Sequence, residues 1–288
     1  EHSSTMAASI TAQARIMKTA PRLVSFFSPV MDIPPGEVYS PSAGTMPRRR
    51  KVTRLDKLLA QSGLYSRSEA RDLIRARRVS VGGEIASKPE QKCADSAEIR
   101  VDGEPVNCAR FRYFMLDKPA GVLSATDDKS QSTVLDLLPA ELRRLGLFPV
   151  GRLDKDTTGL LLLTNDGEFA HRVISPRYGV VKTYLARTAA QTGPEDVRAF
   201  AEGLTLADGT RCLPAVLEPL GGSRCRVLVS EGKYHQVKRM LAAVGKPCLE
   251  LRRVKIGALE LDPALHPGGF RELRQFETGL IFGSSQGF

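Results

Sequence analysis

The chain has 288 residues, 42% of them hydrophobic and 26% charged, enough for one sizeable core plus a small accessory module. No apolar run reaches the roughly 20 residues that a membrane-crossing helix needs, so no membrane partner is expected. Lys and Arg outnumber Asp and Glu by 42 to 32, and the resulting +10 attracts polyanions, nucleic acid foremost, wherever it is localised.

Cys93, Cys108, Cys212, Cys225 and Cys248 are scattered, odd in number and never form a C-x-x-C pair. That argues against a disulfide framework and a zinc site, and favours reduced thiols in a cytoplasmic protein. His2, His171, His235 and His266 show no metal-ligand spacing, so neither a metal nor another cofactor is expected.

Residues 1–51 differ from the rest. The stretch is rich in Ser, Ala and Pro, free of acids between Met6 and Met31, and punctuated by Pro34-Pro35-Gly36. Glu1-His2-Ser3-Ser4 reads as a tag remnant, and the Arg-bearing, acid-poor start also fits a transit peptide. The favoured expectation is a disordered extension upstream of a start near Met46. The segment from Leu23 to Phe27 is too short for a secretory h-region. The basic run Pro47 to Lys51 fits a solvated tail and an arm on phosphates equally well.

Residues 52–104 read as a compact module. Arg54 to Ala60 has apolar positions at helical spacing. Ser66-Arg67-Ser68-Glu69 is a capping box that opens a second helix with Ala70, Leu73 and Ile74 on one side. Arg67, Arg71, Arg75 and Arg78 recur at three- to four-residue steps and are expected to share a face. Val79 to Ile85 alternates through Gly82-Gly83, a hairpin signal. Residues 105–111 serve as a linker.

The remainder, 112–283, is predicted to be an α+β domain on a mainly antiparallel mixed sheet. Tyr113 to Leu116, Thr183 to Arg187 and Cys225 to Val229 read as strands. Leu160 to Leu163 is a short buried run closed by the turn cluster Asn165-Asp166-Gly167. Tyr234 to Val244 has helical periodicity, and Gly245 is placed to end it. Within Gly151-Arg152-Leu153-Asp154-Lys155-Asp156-Thr157-Thr158-Gly159-Leu160-Leu161, a carboxylate stands among basic and turn residues just before a buried strand. A reactive group can be held there by a rigid element. Local spacing alone favours an ordinary ion pair of Asp154 with Arg152 or Lys155.

Four stretches in order change that reading: Tyr113 to Leu116 with Asp117-Lys118-Pro119-x-Gly121; Gly151 to Leu161; Lys182-Thr183-Tyr184-Leu185; and Glu231-Gly232-Lys233-Tyr234-His235-Gln236-Val237-Lys238-Arg239-Met240. Together they resemble the pseudouridine synthases of the RsuA/RluB/RluE/RluF family. Residues 54–100 resemble the small α/β RNA-binding module of ribosomal protein S-four that precedes the catalytic domain in that branch. The resemblance implies Asp154 as the essential aspartate, Tyr184 as the platform for the target base, and Lys238 as the basic partner of Asp154. It implies Arg152 as an RNA contact near the vacated stack, with Leu153, His235, Gln236 and Val237 around the substrate. Arg54, Lys57, Arg67, Ser68, Arg71, Arg75, Arg78 and Lys118 are expected to touch RNA, since guanidinium forks hold phosphates bidentately.

The implied reaction breaks the bond between base and sugar, turns the base and rejoins it through carbon 5. A carboxylate can attack the anomeric carbon or help remove a sugar proton, and the sequence does not choose. Asp156 is given a turn role, and His235 supports the helix start or a phosphate. The stretch from Glu231 to Met240 is similar to the small-subunit type of enzyme, whereas large-subunit relatives tend to carry Arg-Asn-Arg-x-Val/Ile-Arg-Arg there. The expected partner is therefore 16S ribosomal RNA or the assembling small subunit, at uridine 516, for a monomeric enzyme. A 23S enzyme is the nearest alternative, and a non-catalytic ribosome-assembly protein a remoter one.

Overall fold

The computed structural model describes residues 52–283, so the expectations for the N-terminal extension and its basic arm lie outside the described residues. Strand β1 (Val52–Arg54) leads directly into α1 (Leu55–Ala60). Leu55, Leu58 and Leu59 recur at three- and four-residue steps and are all buried. Helix α2 (Arg67–Arg75) begins with the predicted capping box. Ser66 Oγ accepts from Glu69 N at 3.2 Å, and Glu69 Oε2 accepts from Ser66 N at 2.6 Å. Ala70 and Ile74 face inward. β2 (Val79–Val81) and β3 (Glu84–Ile85) then form the predicted hairpin. Its two turn glycines, Gly82 and Gly83, take φ of 59° and 90°, the positive values that a tight primed turn requires. β4 (Lys92–Ala94) pairs with β1, while β5 (Ile99–Val101) and β6 (Glu104–Pro105) complete a four-stranded sheet in the order β3-β2-β5-β6.

The arginine stripe is not a free cationic face. Asp56, fully buried, accepts from Arg54 through both Nε and Nη2 at 3.0 Å, from Arg71 Nε at 3.1 Å and from Arg67 Nε at 3.4 Å. Arg75 pairs with Asp72 at 3.6 Å. Arg78 leaves the stripe altogether, because α2 ends at Arg75 and Arg77 takes a left-handed φ of 60°. Its guanidinium grips Asp102 at 2.8 and 2.5 Å. Sequence spacing missed this because Asp56 and Asp102 lie far from the stripe along the chain. Lys57 and Ser68 are exposed on the same module.

The larger region carries β7 (Tyr113–Lys118), α3 (Ala140–Arg143), β8 (Phe148–Pro149), β9 (Thr158–Thr164), α4 (Gly167–Ile174), β10 (Lys182–Thr188), α5 (Pro194–Glu202), β11 (Val216–Pro219), β12 (Arg224–Val229), α6 (Gln236–Ala243), β13 (Cys248–Ile256), β14 (Leu259–Glu260), β15 (Phe270–Glu272) and α7 (Gln275–Leu280). The strands form a nine-stranded sheet with the path β11-β12-β10-β13-β9-β7-β15, to which β14 and β8 attach. It is mixed but mainly antiparallel, with β13 and β9 parallel to each other. β9 is covered on both faces. Leu160 and Leu162 pack with Met115, Phe169 and Ile256, and Leu161 and Leu163 with Phe114, Leu116 and Leu147. Such a strand reads as a continuous apolar run rather than an alternating one.

Two boundaries differ from the sequence reading. Asn165-Asp166-Gly167 is a turn only in part, because Asp166 Oδ1 accepts from the backbone N–H groups of Glu168 and Phe169 and thereby opens α4. Helix α6 starts at Gln236 instead of Tyr234, because His235 adopts a left-handed φ of 49°. The small module abuts the large one at Gly63 (φ 78°), where a Cβ would come within 2.5 Å of the Glu141 carbonyl oxygen. All five cysteines are free, four of them buried.

Burial pushes the Asp56 carboxyl upward, but hydrogen bonds from Arg54 and Arg71 outweigh it and hold the group down at about 2. A depressed carboxyl stabilises the fold above its ordinary range, and that contribution disappears as pH falls toward 2. Asp56→Asn is expected to destabilise the 52–104 module by about 1–3 kcal/mol at neutral pH, read by hydrogen exchange of its amides. Unchanged protection would refute the role given to Asp56.

Candidate active site

The loop from Gly151 to Thr157 carries Asp154 between β8 and β9, and it is pinned from below. Lys118, at the end of β7, is fully buried. Its ammonium donates to the carbonyl oxygens of Pro119 (3.0 Å), Asp154 (3.1 Å), Lys155 (3.2 Å) and Thr157 (2.9 Å). Burial lowers this lysine to about 8, against the raising influence of Asp156 and Asp154. The expectation that Lys118 touches RNA is therefore corrected, since its charge is enclosed by backbone and faces no solvent. Ser124 holds the other side of the loop, its Oγ donating to Leu153 O at 2.8 Å and accepting from Leu153 N at 3.0 Å. Gly159 lets β9 approach β13, because a Cβ there would lie 2.2 Å from the Arg253 carbonyl oxygen.

On this platform the Asp154 carboxylate is about a quarter exposed and meets two basic groups. Lys238 Nζ, from the first turn of α6, lies 3.1 Å from Oδ2, and His235 Nε2 lies 3.4 Å from Oδ1. Thr157 Oγ1 donates to Oδ2 at 3.4 Å. Lys238 also reaches Asp156 Oδ1 at 2.5 Å, so one ammonium joins both carboxylates of the loop. Burial alone would lower Lys238, but its hydrogen bonds to Asp156 and Asp154 raise it above the ordinary lysine value. The sequence reading gave Asp156 a turn role. It does stand in a turn, closed by Thr157 N donating to Asp154 O at 3.1 Å, and its side chain is also half of this bridge.

A cavity of about 500 Å³ opens beside Asp154, lined by Arg152, Leu153, Lys182, Tyr184, His235 and Arg253 among others. Tyr184, half-buried on β10, is directly opposite Arg253 on β13. The guanidinium lies 6.0 Å from its ring centroid, with Nη1 3.4 Å from its hydroxyl. Arg152 is exposed at the rim and makes no hydrogen bond or ion pair among the described residues. Leu153 is buried behind the loop.

Gln236 and Val237 reach only a narrow recess of about 70 Å³ beside the cavity. Both are buried. Gln236 is held by Lys233 N and Glu231, and Val237 packs into the core, so these two side chains brace the wall. A larger hollow of about 760 Å³ is lined by Thr183, Arg252 and Asp262. Thr183 and Arg252 are strand neighbours of Tyr184 and Arg253 that alternate to the other face, away from Asp154. Among the described residues no cluster of three or more His, Cys, Asp or Glu could hold a metal ion, and no helix is long and apolar enough to cross a membrane.

Two residues of the cavity escaped the sequence reading. Lys182 had a signal, since it stands two positions before Tyr184 on a strand and so shares its face. Arg253 had none, because its place depends on the pairing of β10 with β13.

A carboxylate held against basic groups in a nucleotide-sized cavity, behind an α/β module with arginines on one helix, has the layout of an enzyme that acts on RNA. Residues 53–99 match the S4 domain family, and residues 112–243 match the RNA pseudouridylate synthase family. The uncharacterized RNA pseudouridine synthase YtzG of Bacillus subtilis (strain 168) is 45% identical over 233 residues, covering 79% of this chain and 98% of its own length. Ribosomal small subunit pseudouridine synthase A of Escherichia coli (strain K12) is 43% identical over 232 residues, covering 79% of this chain and 99% of its own. A crystal structure of a pseudouridylate synthase, 38% identical, matches with a TM-score of 0.57 over 79% of this chain and 99% of that one. The chain belongs to the RNA pseudouridine synthases, in the branch that carries an S4 domain.

The hydrogen bond from Lys238 is the main influence that holds the Asp156 carboxyl below its ordinary range. In Lys238→Ala that carboxyl is expected to return upward toward the ordinary value, as followed by carboxyl NMR titration. An unmoved titration would mean that the bridge is not populated in solution.

Proposed function

We propose that the chain isomerises a uridine of 16S ribosomal RNA, uridine 516, with Asp154 as the catalytic carboxylate. The observation that carries the assignment is that Asp154, His235 and Tyr184 line one cavity from separate stretches of chain, while Lys238 pairs with the Asp154 carboxylate. The small-subunit substrate is supported by the 43% identity to the E. coli enzyme over nearly all of that enzyme's length.

In this reading the target uridine leaves its stack, and its base enters the cavity against the ring of Tyr184. Such a platform offsets part of the cost of unstacking. Arg152, unpaired at the rim, takes a place near the vacated stack. Asp154 Oδ1 and Oδ2 face the sugar, either attacking the anomeric carbon or assisting removal of a sugar proton. Lys238 compensates its charge and fixes its rotamer. His235 stays at the wall as support of the helix start, within reach of Asp154 and stacked on the exposed Tyr234 at 3.8 Å. Water has to be kept from the anomeric carbon, since hydrolysis would compete with rejoining.

The S4 module, at about 52–104, supplies the RNA grip through Arg54, Lys57, Arg67, Ser68, Arg71 and Arg75. Asp56 engages only the Nε edges of Arg67 and Arg71, which leaves their Nη groups for phosphate oxygens. Arg54 and Arg78 contribute less, because their forks are closed on Asp56 and Asp102. The enzyme acts as a cytoplasmic monomer on the RNA or on the assembling subunit.

Incubation with 16S transcripts, 23S transcripts and small-subunit precursors, followed by pseudouridine mapping, is expected to yield one product position, in 16S RNA. A product confined to 23S RNA would overturn the substrate, and no product in any of them would overturn the activity. Asp154→Asn is expected to lower turnover by at least about 10³-fold while RNA affinity stays within about threefold.

A further inference from the structure

We propose that the floor of the Asp154 cavity is an oxyanion site, in which the Lys182 ammonium and the Arg253 guanidinium receive the uracil oxygens and the negative charge the base acquires as its bond to the sugar breaks. The inference deepens the proposed function and rests on Asp154 acting at the sugar of a uridine in this cavity.

Lys182 is 7% exposed, and among the described residues its Nζ has no hydrogen-bond partner; Arg253 is 4% exposed, with Nε donating to Leu160 O and Nη1 to the Tyr184 hydroxyl, and its Nη2 likewise has none. Both side chains line the cavity with Asp154 and Tyr184. Lys182 shares the face of β10 with Tyr184, and Arg253 lies across from Tyr184 on β13, so the two cationic groups flank the ring on which the base would stack. Burial, and then the neighbouring Arg253 charge, lower Lys182 to about 8, which leaves it mostly protonated at neutral pH.

Two buried donors without acceptors, on two like charges side by side, are costly unless something completes them. The cavity's own carboxylates cannot, because each is engaged elsewhere. Asp154 is held by Lys238 and His235, and Glu231 by Lys233, Gln236 and the backbone N–H of Leu213. An acceptor brought by the substrate would complete the two donors. RNA offers phosphates and base oxygens, and a flipped base is the part that enters a cavity and can reach a side chain as buried as Lys182, while the backbone passes outside.

Uracil presents two carbonyl oxygens. When the C1′–N1 bond breaks, its electron pair stays on the base and spreads over N1, O2 and O4. This holds whether Asp154 attacks C1′ or a sugar proton is removed. The base turns and C5 bonds to C1′, displacing the Asp154 carboxylate in the first case or with the sugar proton returned in the second; the C5 proton passes to solvent and N1 takes up a proton, so no co-reactant is consumed. Donors placed beforehand at the oxygens would stabilise the detached base in an enclosed site.

The test compares Lys182→Met and Lys182→Arg with wild type in single-turnover reactions, RNA binding and thermal unfolding. Lys182→Met is expected to slow the reaction by about 10²–10³-fold with RNA affinity within about threefold of wild type, and Lys182→Arg to recover part of the rate. On RNA carrying 5-fluorouridine at the target, a more acidic base that departs more readily as an anion, the Lys182→Met deficit in consuming the N-glycoside is expected to shrink by at least about tenfold. A rate within about threefold of wild type, an equal deficit on both RNAs, or a loss confined to RNA affinity would each overturn the proposal; the last would mark a phosphate contact. If Lys182→Met does not fold, Lys182→Gln carries the same comparison. Failure of the wild type to make pseudouridine would instead sink the proposed function.

Discussion

The active-site loop depends on one buried ammonium. Lys118 ends β7 inside the protein, where an isolated charge costs several kcal/mol. Each hydrogen bond to a charged group returns about 1.5–3 kcal/mol, so the four carbonyls that surround it can offset that cost. Three of those carbonyls belong to Asp154, Lys155 and Thr157. A loop with three carbonyls turned inward at one charge has little freedom to turn its side chains elsewhere, and the Asp154 carboxylate accordingly faces outward into the cavity. Ser124 and the close approach at Gly159 hold the two ends of the same loop.

The charges above that platform fall into two groups. In one, the carboxylates of Asp154 and Asp156 share Lys238, with His235 beside them, so the negative charge is matched where it stands. In the other, Lys182 Nζ and Arg253 Nη2 have no hydrogen-bond partner among the described residues. A neutral base that becomes an anion during reaction gains from such a division, because the favourable interaction grows as charge develops. The Tyr184 hydroxyl lies 3.4 Å from Arg253 Nη1.

Much of the fold was legible along the chain, and the reasons are local. The Ser66 capping box, the Gly82-Gly83 hairpin and the doubly buried run Leu160 to Leu163 each follow from a few adjacent residues. The start of α6 was misread because the left-handed turn at His235 breaks a periodicity that itself continues. For the site, the resemblance supplied the residues but not their surroundings. Lys118 was read as an RNA contact because an exposed and a buried lysine look alike in sequence. What separates them is enclosure by the loop at 154–157, some 36 residues further along the chain. Arg253 enters through strand register, which no local pattern encodes.

The same cause explains the arginine stripe. A count of charges along α2 suggested a bare cationic face, yet Asp56, in the preceding helix, collects Arg54, Arg67 and Arg71. Asp56 therefore stands to the module as Lys118 stands to the Asp154 loop: one buried charge orients several groups that the sequence scatters. For Arg67 and Arg71 the pairing uses Nε and leaves the outer nitrogens unengaged, so the stripe loses freedom without losing its capacity to donate. Holding a flexible guanidinium in place before a ligand arrives removes ordering entropy from the binding step. The internal acid lowers the net charge of the face, but it leaves the outer donors of two arginines ordered and unengaged.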